Sequence, residues 1–60
     1  MLIAAKALYD YQAAIPEELG FRKGDILIIF RVQEDGWWEA EHTSGASRRG
    51  LVPSNFMEAM

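Results

Sequence analysis

Hydrophobic residues fall along this chain in short bursts rather than in long stripes. The longest burst, Ile26-Leu27-Ile28-Ile29-Phe30, runs on through Arg31 to Val32. Its β-branched and aromatic side chains suit a pleated strand, and its apolar content marks it as the central one. Around it the alternation has a period of two. Ala5-Lys6-Ala7-Leu8-Tyr9 reads as a first strand with small alanines on one face, and Trp37-Trp38-Glu39-Ala40-Glu41-His42 as a third. Arg48-Arg49-Gly50-Leu51-Val52 is its returning partner, and Met57 to Met60 a short closing strand.

Turn signals separate these bursts. Lys23-Gly24-Asp25 is a tight turn in which Gly24 takes positive φ, and Glu34-Asp35-Gly36 is another. Thr43-Ser44-Gly45-Ala46-Ser47 reads as a hairpin loop. Pro53 ends a strand by withholding an amide donor, and Ser54-Asn55-Phe56 then makes a single tight turn. The polar excursion from Asp10 to about Arg22, with Pro16 and Gly20 inside it, is long for a simple connector and reads as a functional loop. No stretch has helical periodicity between caps, and no repeat or low-complexity tract is present. The pattern predicts an all-β domain, a small barrel of five short antiparallel strands or two packed orthogonal sheets.

Parity along the third strand sorts its two adjacent tryptophans. Neighbouring strand residues point to opposite faces, and Ala40 belongs inside. Trp38 therefore joins Ala40 and His42 on the core side, and Trp37 joins Glu39 and Glu41 on the outside. An outward indole in a small protein is an anomaly. Ile28 also points outward, with only a secondary contact to suggest for it.

Composition narrows the possible functions. Sixty residues allow one domain, 1–60, and a chain this short buries only about 60% of its unfolded surface. Without cysteine it has no disulfide or Cys-ligated zinc to supplement the core. The apolar runs are too short to span a bilayer, so no membrane insertion is expected. The net charge of −3 argues against phosphate-backbone binding and for a basic partner. One isolated histidine makes no metal site, and no nucleophile–base, metal-ligand or phosphate-loop arrangement is present. Neither enzymatic activity nor a cofactor is expected, and the chain reads as a soluble, cytoplasmic, monomeric domain.

Five blocks, taken together, point to a family. Ala7-Leu8-Tyr9-Asp10-Tyr11, Glu17-Glu18-Leu19, Phe21-Arg22-Lys23-Gly24-Asp25, Asp35-Gly36-Trp37-Trp38 and Gly50-Leu51-Val52-Pro53-Ser54-Asn55-Phe56 resemble, in order and spacing, the signature blocks of SH3 domains. The resemblance covers almost the whole chain. It implies an SH3-like barrel in which Asp10 to Arg22 is the RT loop, the turn before Trp37 the n-Src loop, and Ser54 to Phe56 a 3-10 turn. With strand parity, it places Ala5, Ala7, Leu19, Phe21, Leu27, Ile29, Ala40, Val52 and Met57 in the core. A fainter resemblance, carried by the Ile15-Pro16-Glu17-Glu18 run and the Glu34 to Glu39 stretch, is to the SH3 domains of fungal F-BAR scaffolds of the cytokinetic ring.

The family's function follows as an expectation: binding proline-rich PxxP peptides in the polyproline II conformation. Such a helix is ordered before it binds, so little entropy is lost. The resemblance assigns Tyr9, Tyr11, Trp37, Pro53 and Phe56 to two slots for X-Pro dipeptides, and Asn55 and the Trp37 indole N–H to ligand carbonyls. Glu17, Glu18, Glu34 and Asp35 border a pocket for a ligand Arg or Lys, with Glu18 best placed for a charge-assisted hydrogen bond. Phe56 stands where tyrosine is usual, Leu51 stands at an aromatic site of some members, and Ile15 and Pro16 add apolar bulk to the RT loop. Asp10, Gly24 and Asp25 read as structural, His42 as an ordinary strand residue, and Arg48 and Arg49 as a solvated strand edge. Two alternatives to an adaptor that binds in trans are a small barrel that binds nucleic acid and an SH3 domain engaged in intramolecular regulation.

Overall fold

The computed structural model describes residues 2–43 and 48–60. Five strands form: β1 (Ile3–Ala7), β2 (Ile26–Val32), β3 (Trp37–His42), β4 (Arg49–Pro53) and β5 (Met57–Ala59), with a 3-10 turn, Ser54–Phe56, between the last two. They join in one antiparallel sheet in the order β4-β3-β2-β1-β5. β2, the most apolar strand, sits at its centre. Of the hairpin loop predicted at residues 43–47, residues 44–47 lie outside the described residues.

Four strands keep their predicted limits to within a residue, but β1 begins and ends two residues earlier than the alternation suggested. Ile3 and Ala4 pair with Ile29 and Ile28, which extends the ladder toward the N-terminus. At the other end the Leu8 amide donates to the Phe56 carbonyl at 2.7 Å, drawing the chain away from β2. Tyr9 is thereby released from the sheet.

The buried apolar set is Ala5, Ala7, Leu19, Phe21, Leu27, Ile29, Ala40, Val52 and Met57, the nine residues read as core from parity and family pattern. Ile3, Tyr11, Trp38 and Phe56 pack against it partly buried. Leu27, Ile29 and Val52 are the largest side chains buried completely, each contributing about 1.5–3 kcal/mol of transfer free energy. The small Ala40 lets β3 approach Ile29 on one side and Gly50 on the other.

The excursion from Asp10 to Arg22 has a ladder of its own. Tyr11 and Phe21 exchange both backbone hydrogen bonds at 2.9 Å, closing the excursion into a hairpin, and Glu18 makes a parallel bridge to Leu51 of β4. One pair of residues leaves no alternation to read, which is why the sequence pattern shows only a loop. The turns are held as their composition suggests. Gly24 and Gly36 have φ near +90°, a region that side chains with a Cβ rarely enter. Asp10 Oδ1 accepts from the Lys23 amide at 2.7 Å, and Asp25 Oδ2 from the Arg22 amide at 3.0 Å.

Candidate functional site

Four rings stand in a row on the surface where the RT hairpin, β3 and the 3-10 turn meet. Tyr9 meets Phe56 edge to face at 5.3 Å between centroids, Phe56 meets Tyr11 at 5.6 Å, and Tyr11 meets Trp37 at 6.2 Å. Phe21 lies beneath, stacked on Tyr11 at 5.6 Å. Edge-to-face contacts of this kind lock ring orientation as well as adding contact energy.

The backbone sets where the rings stand. Trp37 starts β3 directly after the Gly36 turn, with its amide donating to Asp35 Oδ1 at 3.0 Å. The Ser54 amide donates to the Gly36 carbonyl at 2.8 Å, so the 3-10 turn carrying Phe56 is tied to the turn carrying Trp37. Trp37 faces outward and is half buried against Tyr11, whereas Tyr9 remains 57% exposed. Pro53, opposite Trp37 in the ladder, is buried. Among the described residues, neither the Trp37 indole N–H nor the Asn55 side chain is taken by an internal hydrogen bond.

The acids around Trp37 are of two kinds. Glu17, Glu34 and Asp35 are exposed on their loops. Glu18 is tied in, its Oε1 accepting from the Tyr11 hydroxyl at 2.5 Å and from the Ala14 amide at 2.9 Å. The Tyr11 hydrogen bond, followed by the Ala14 amide, holds the Glu18 carboxyl below the usual carboxylate range, and the same bond raises the Tyr11 phenol. Glu18 is thus a fixed negative charge that also fixes a ring of the row. Sequence reasoning gave it only the first of these roles.

The scan against family models matches residues 6–54 to the SH3 domain. This chain belongs to the SH3 domain family. Relatives include Cell division control protein 15 of Schizosaccharomyces pombe, 58% identical over 55 residues and 90% of this chain, and Septation protein imp2 of the same organism, 54% identical over 52 residues and 85% of this chain. The SH3 domain spans only 6% and 8% of the length of those two proteins. Their names, cell division and septation, agree with the finer resemblance drawn from the RT loop and the Trp37 region. Among solved structures it is similar to the C-terminal SH3 domain of myosin IB from Entamoeba histolytica bound to a GEF peptide, with a TM-score of 0.88, 40% identity and coverage of 100% of this chain and 95% of that one. The Acanthamoeba myosin I SH3 domain bound to Acan125 gives a TM-score of 0.86 at 41% identity, covering 97% of this chain and 95% of that one.

Two sequence readings outside the SH3 groove gain contacts that the sequence did not show. His42 is no ordinary strand residue: it is 5% exposed, with Nε2 2.7 Å from Asp25 Oδ2, and it ties the end of β3 to the turn before β2. Arg48 and Arg49 are exposed at the sheet edge, as expected, and each also makes a specific contact. Arg48 donates to the Gly20 carbonyl at 2.9 Å, and the Arg49 guanidinium lies 4.5 Å from the Phe30 ring centroid. All these contacts are far apart in sequence, so no local pattern announces them. Asp10, Asp25, His42 and Arg48 also wall a hollow of about 670 Å³, but their hydrogen bonds are made within the fold. Among the described residues there is no cluster of three or more His, Cys, Asp or Glu side chains fit for a metal ion, and no helix long and apolar enough to cross a membrane.

Proposed function

We propose that this SH3 domain is a noncatalytic module that docks proline-rich PxxP segments bearing a flanking Arg or Lys, as an adaptor or scaffold in cytoplasmic cytoskeletal or cytokinetic assembly. The observation that carries the proposal is the row Tyr9, Phe56, Tyr11, Trp37, exposed at one end and bordered by carboxylates at the other. Flat rings at intervals accept the ridges of a polyproline helix, whose carbonyls are unpaired and available to Asn55 and the Trp37 indole. Pro53, opposite Trp37 in the ladder, is the fifth residue of the two slots. Glu18, anchored through Oε1, presents Oε2 to the ligand cation, and Glu17, Glu34 and Asp35 add to the field there. Two related SH3 domains solved with bound partners, and the names of the two S. pombe relatives, support the peptide class and the cellular setting respectively.

A site this small and shallow binds at roughly micromolar strength, about −8 kcal/mol. The test is a tryptophan-fluorescence titration with a PxxP peptide ending in arginine and the same peptide with alanine in its place. Micromolar binding of the first and about tenfold weaker binding of the second are expected. Equal affinities would remove the role given to the acids. No binding of either, across a panel in both orientations, would remove the function.

A further inference from the structure

The RT hairpin is braced from within. Tyr11 and Phe21 exchange backbone bonds, and Glu18 Oε1 accepts from both the Tyr11 hydroxyl and the Ala14 amide, so a ring of the row and its fixed acid share one framework. At Gly20 the two arms run close together. A Cβ there would lie 3.3 Å from the Tyr11 carbonyl oxygen and 3.4 Å from the Ala13 nitrogen. A displacement of Gly20 is therefore felt at Tyr11, and through Tyr11 at Glu18.

Two attachments hold this framework to β4 and its approach. At β4 the Leu51 amide donates to the Glu17 carbonyl and the Leu19 amide to the Leu51 carbonyl, both at 2.9 Å. Gly50 permits the approach, because a Cβ there would come within 2.9 Å of the Glu17 oxygen, the Glu18 carbonyl carbon and the Leu19 nitrogen. Both bonds run to a single residue, and two bonds at one residue make a hinge. The second attachment lies off that hinge: Arg48 donates through Nη2 to the Gly20 carbonyl at 2.9 Å. Arg48 directly precedes β4, with its own carbonyl accepting from the His42 amide at 2.9 Å. By strand alternation it points away from the side on which Arg49 covers Phe30. It lines the 670 Å³ hollow together with Asp10 and Asp25, whose negative field favours a guanidinium there.

We propose that Arg48 is a positioning residue for the peptide groove: without touching the peptide, it fixes the RT hairpin from the hollow and so sets where Tyr11 and Glu18 meet the ligand. The proposal rests on the PxxP reading. Recognition groups must be held to within about 0.5 Å of their working geometry, and the hinge at Leu51 alone leaves Glu18 free to swing. Charge alone predicts the opposite effect. Removing Arg48 makes a domain of net charge −3 more negative, which by field alone tightens a cationic peptide.

The test is isothermal titration of the arginine-bearing PxxP peptide and its alanine counterpart into wild type, Arg48→Ala, Arg48→Lys and Arg49→Ala, with melting temperature as the control for folding. Arg48→Ala is expected to bind the arginine peptide about fivefold more weakly and to cut the preference over the alanine peptide from about tenfold to about twofold. Arg48→Lys, which keeps a donor of similar reach, should recover most of both losses. Arg49→Ala removes the same charge but no bond to the RT hairpin, and should bind the arginine peptide at least as tightly as wild type does. Wild-type affinity and preference in Arg48→Ala would overturn the positioning role. So would a loss equal for the two peptides, a loss that Arg48→Lys does not recover, or a matching loss in Arg49→Ala. A wild type that binds neither peptide, or binds both equally, would instead overturn the reading on which the proposal rests.

Discussion

The two faces of β3 use the same alternation for opposite purposes. On the inner face Trp38 packs against the core, Ala40 is fully buried, and His42 is buried against Asp25. Every inward side chain is matched by a neighbour within the domain. On the outer face Trp37 leans on Tyr11 but keeps an edge free, and Glu39 and Glu41 are partly solvated beside Arg31 and Arg49. On the proposed reading, the inner face is complete without a ligand and the outer face is not. Stability and recognition are therefore separable along a single six-residue strand.

That separation can be broken at several strengths. The largest effect is expected from Trp37→Ala: at least a hundredfold loss of affinity for an arginine-bearing PxxP peptide, with a melting temperature within about 3 °C of wild type. A large fall in melting temperature would show that Trp37 belongs to the core after all. Next is Ala40→Leu, which forces extra methylenes between Ile29 and Gly50 and is expected to cost about 1–3 kcal/mol in urea unfolding. Its folded fraction should bind the peptide as wild type does, and a large affinity change would couple the two faces.

A smaller effect belongs to Asp25 and is confined to acid. Its carboxyl is held below the ordinary range first by the Arg22 amide and then by His42. A carboxyl whose folded pKa is depressed adds stability that is present above its unfolded pKa and is lost as pH falls through the folded one. Asp25→Asn should therefore lower the urea midpoint at pH 6 and converge on wild type near pH 2; an equal deficit at both would refute the linkage. The smallest effect is expected from Glu41→Gln. It breaks an exposed pair with Arg49 and should change stability by less than about 0.5 kcal/mol, with still less change in high salt. A loss above 1 kcal/mol would mean that the outer face carries load.

The core was readable in advance because strand parity, a rule of period two, and the family pattern agreed on the same residues. Leu27, Ile29, Ala40 and Val52 satisfy both. The ring row was readable through the spacing of Tyr9, Tyr11, Trp37 and Phe56 within the family blocks, not through periodicity. The misses share one physical character. Asp25 with His42, Arg48 with Gly20, Arg49 with Phe30 and Gly50 with the RT loop are contacts between segments that are distant in sequence. Each depends on the barrel closing first. The C-terminal limit of β1 was missed for a related reason, since Leu8 leaves the ladder to bond with Phe56 from the far end of the chain.

The backbone bond from Ser54 to Gly36 bears on timing as well as on shape. By joining the two turns that carry Phe56 and Trp37, it fixes the gauge of the site before any peptide arrives, and the peptide itself comes already extended. Neither party has much to rearrange on contact. Association at about 10⁵ to 10⁷ per molar per second, combined with a micromolar dissociation constant, gives bound lifetimes of roughly a tenth of a second to ten seconds. On the proposed reading, a scaffold clasped through this domain is continually let go and retaken, and its order comes from many brief grips.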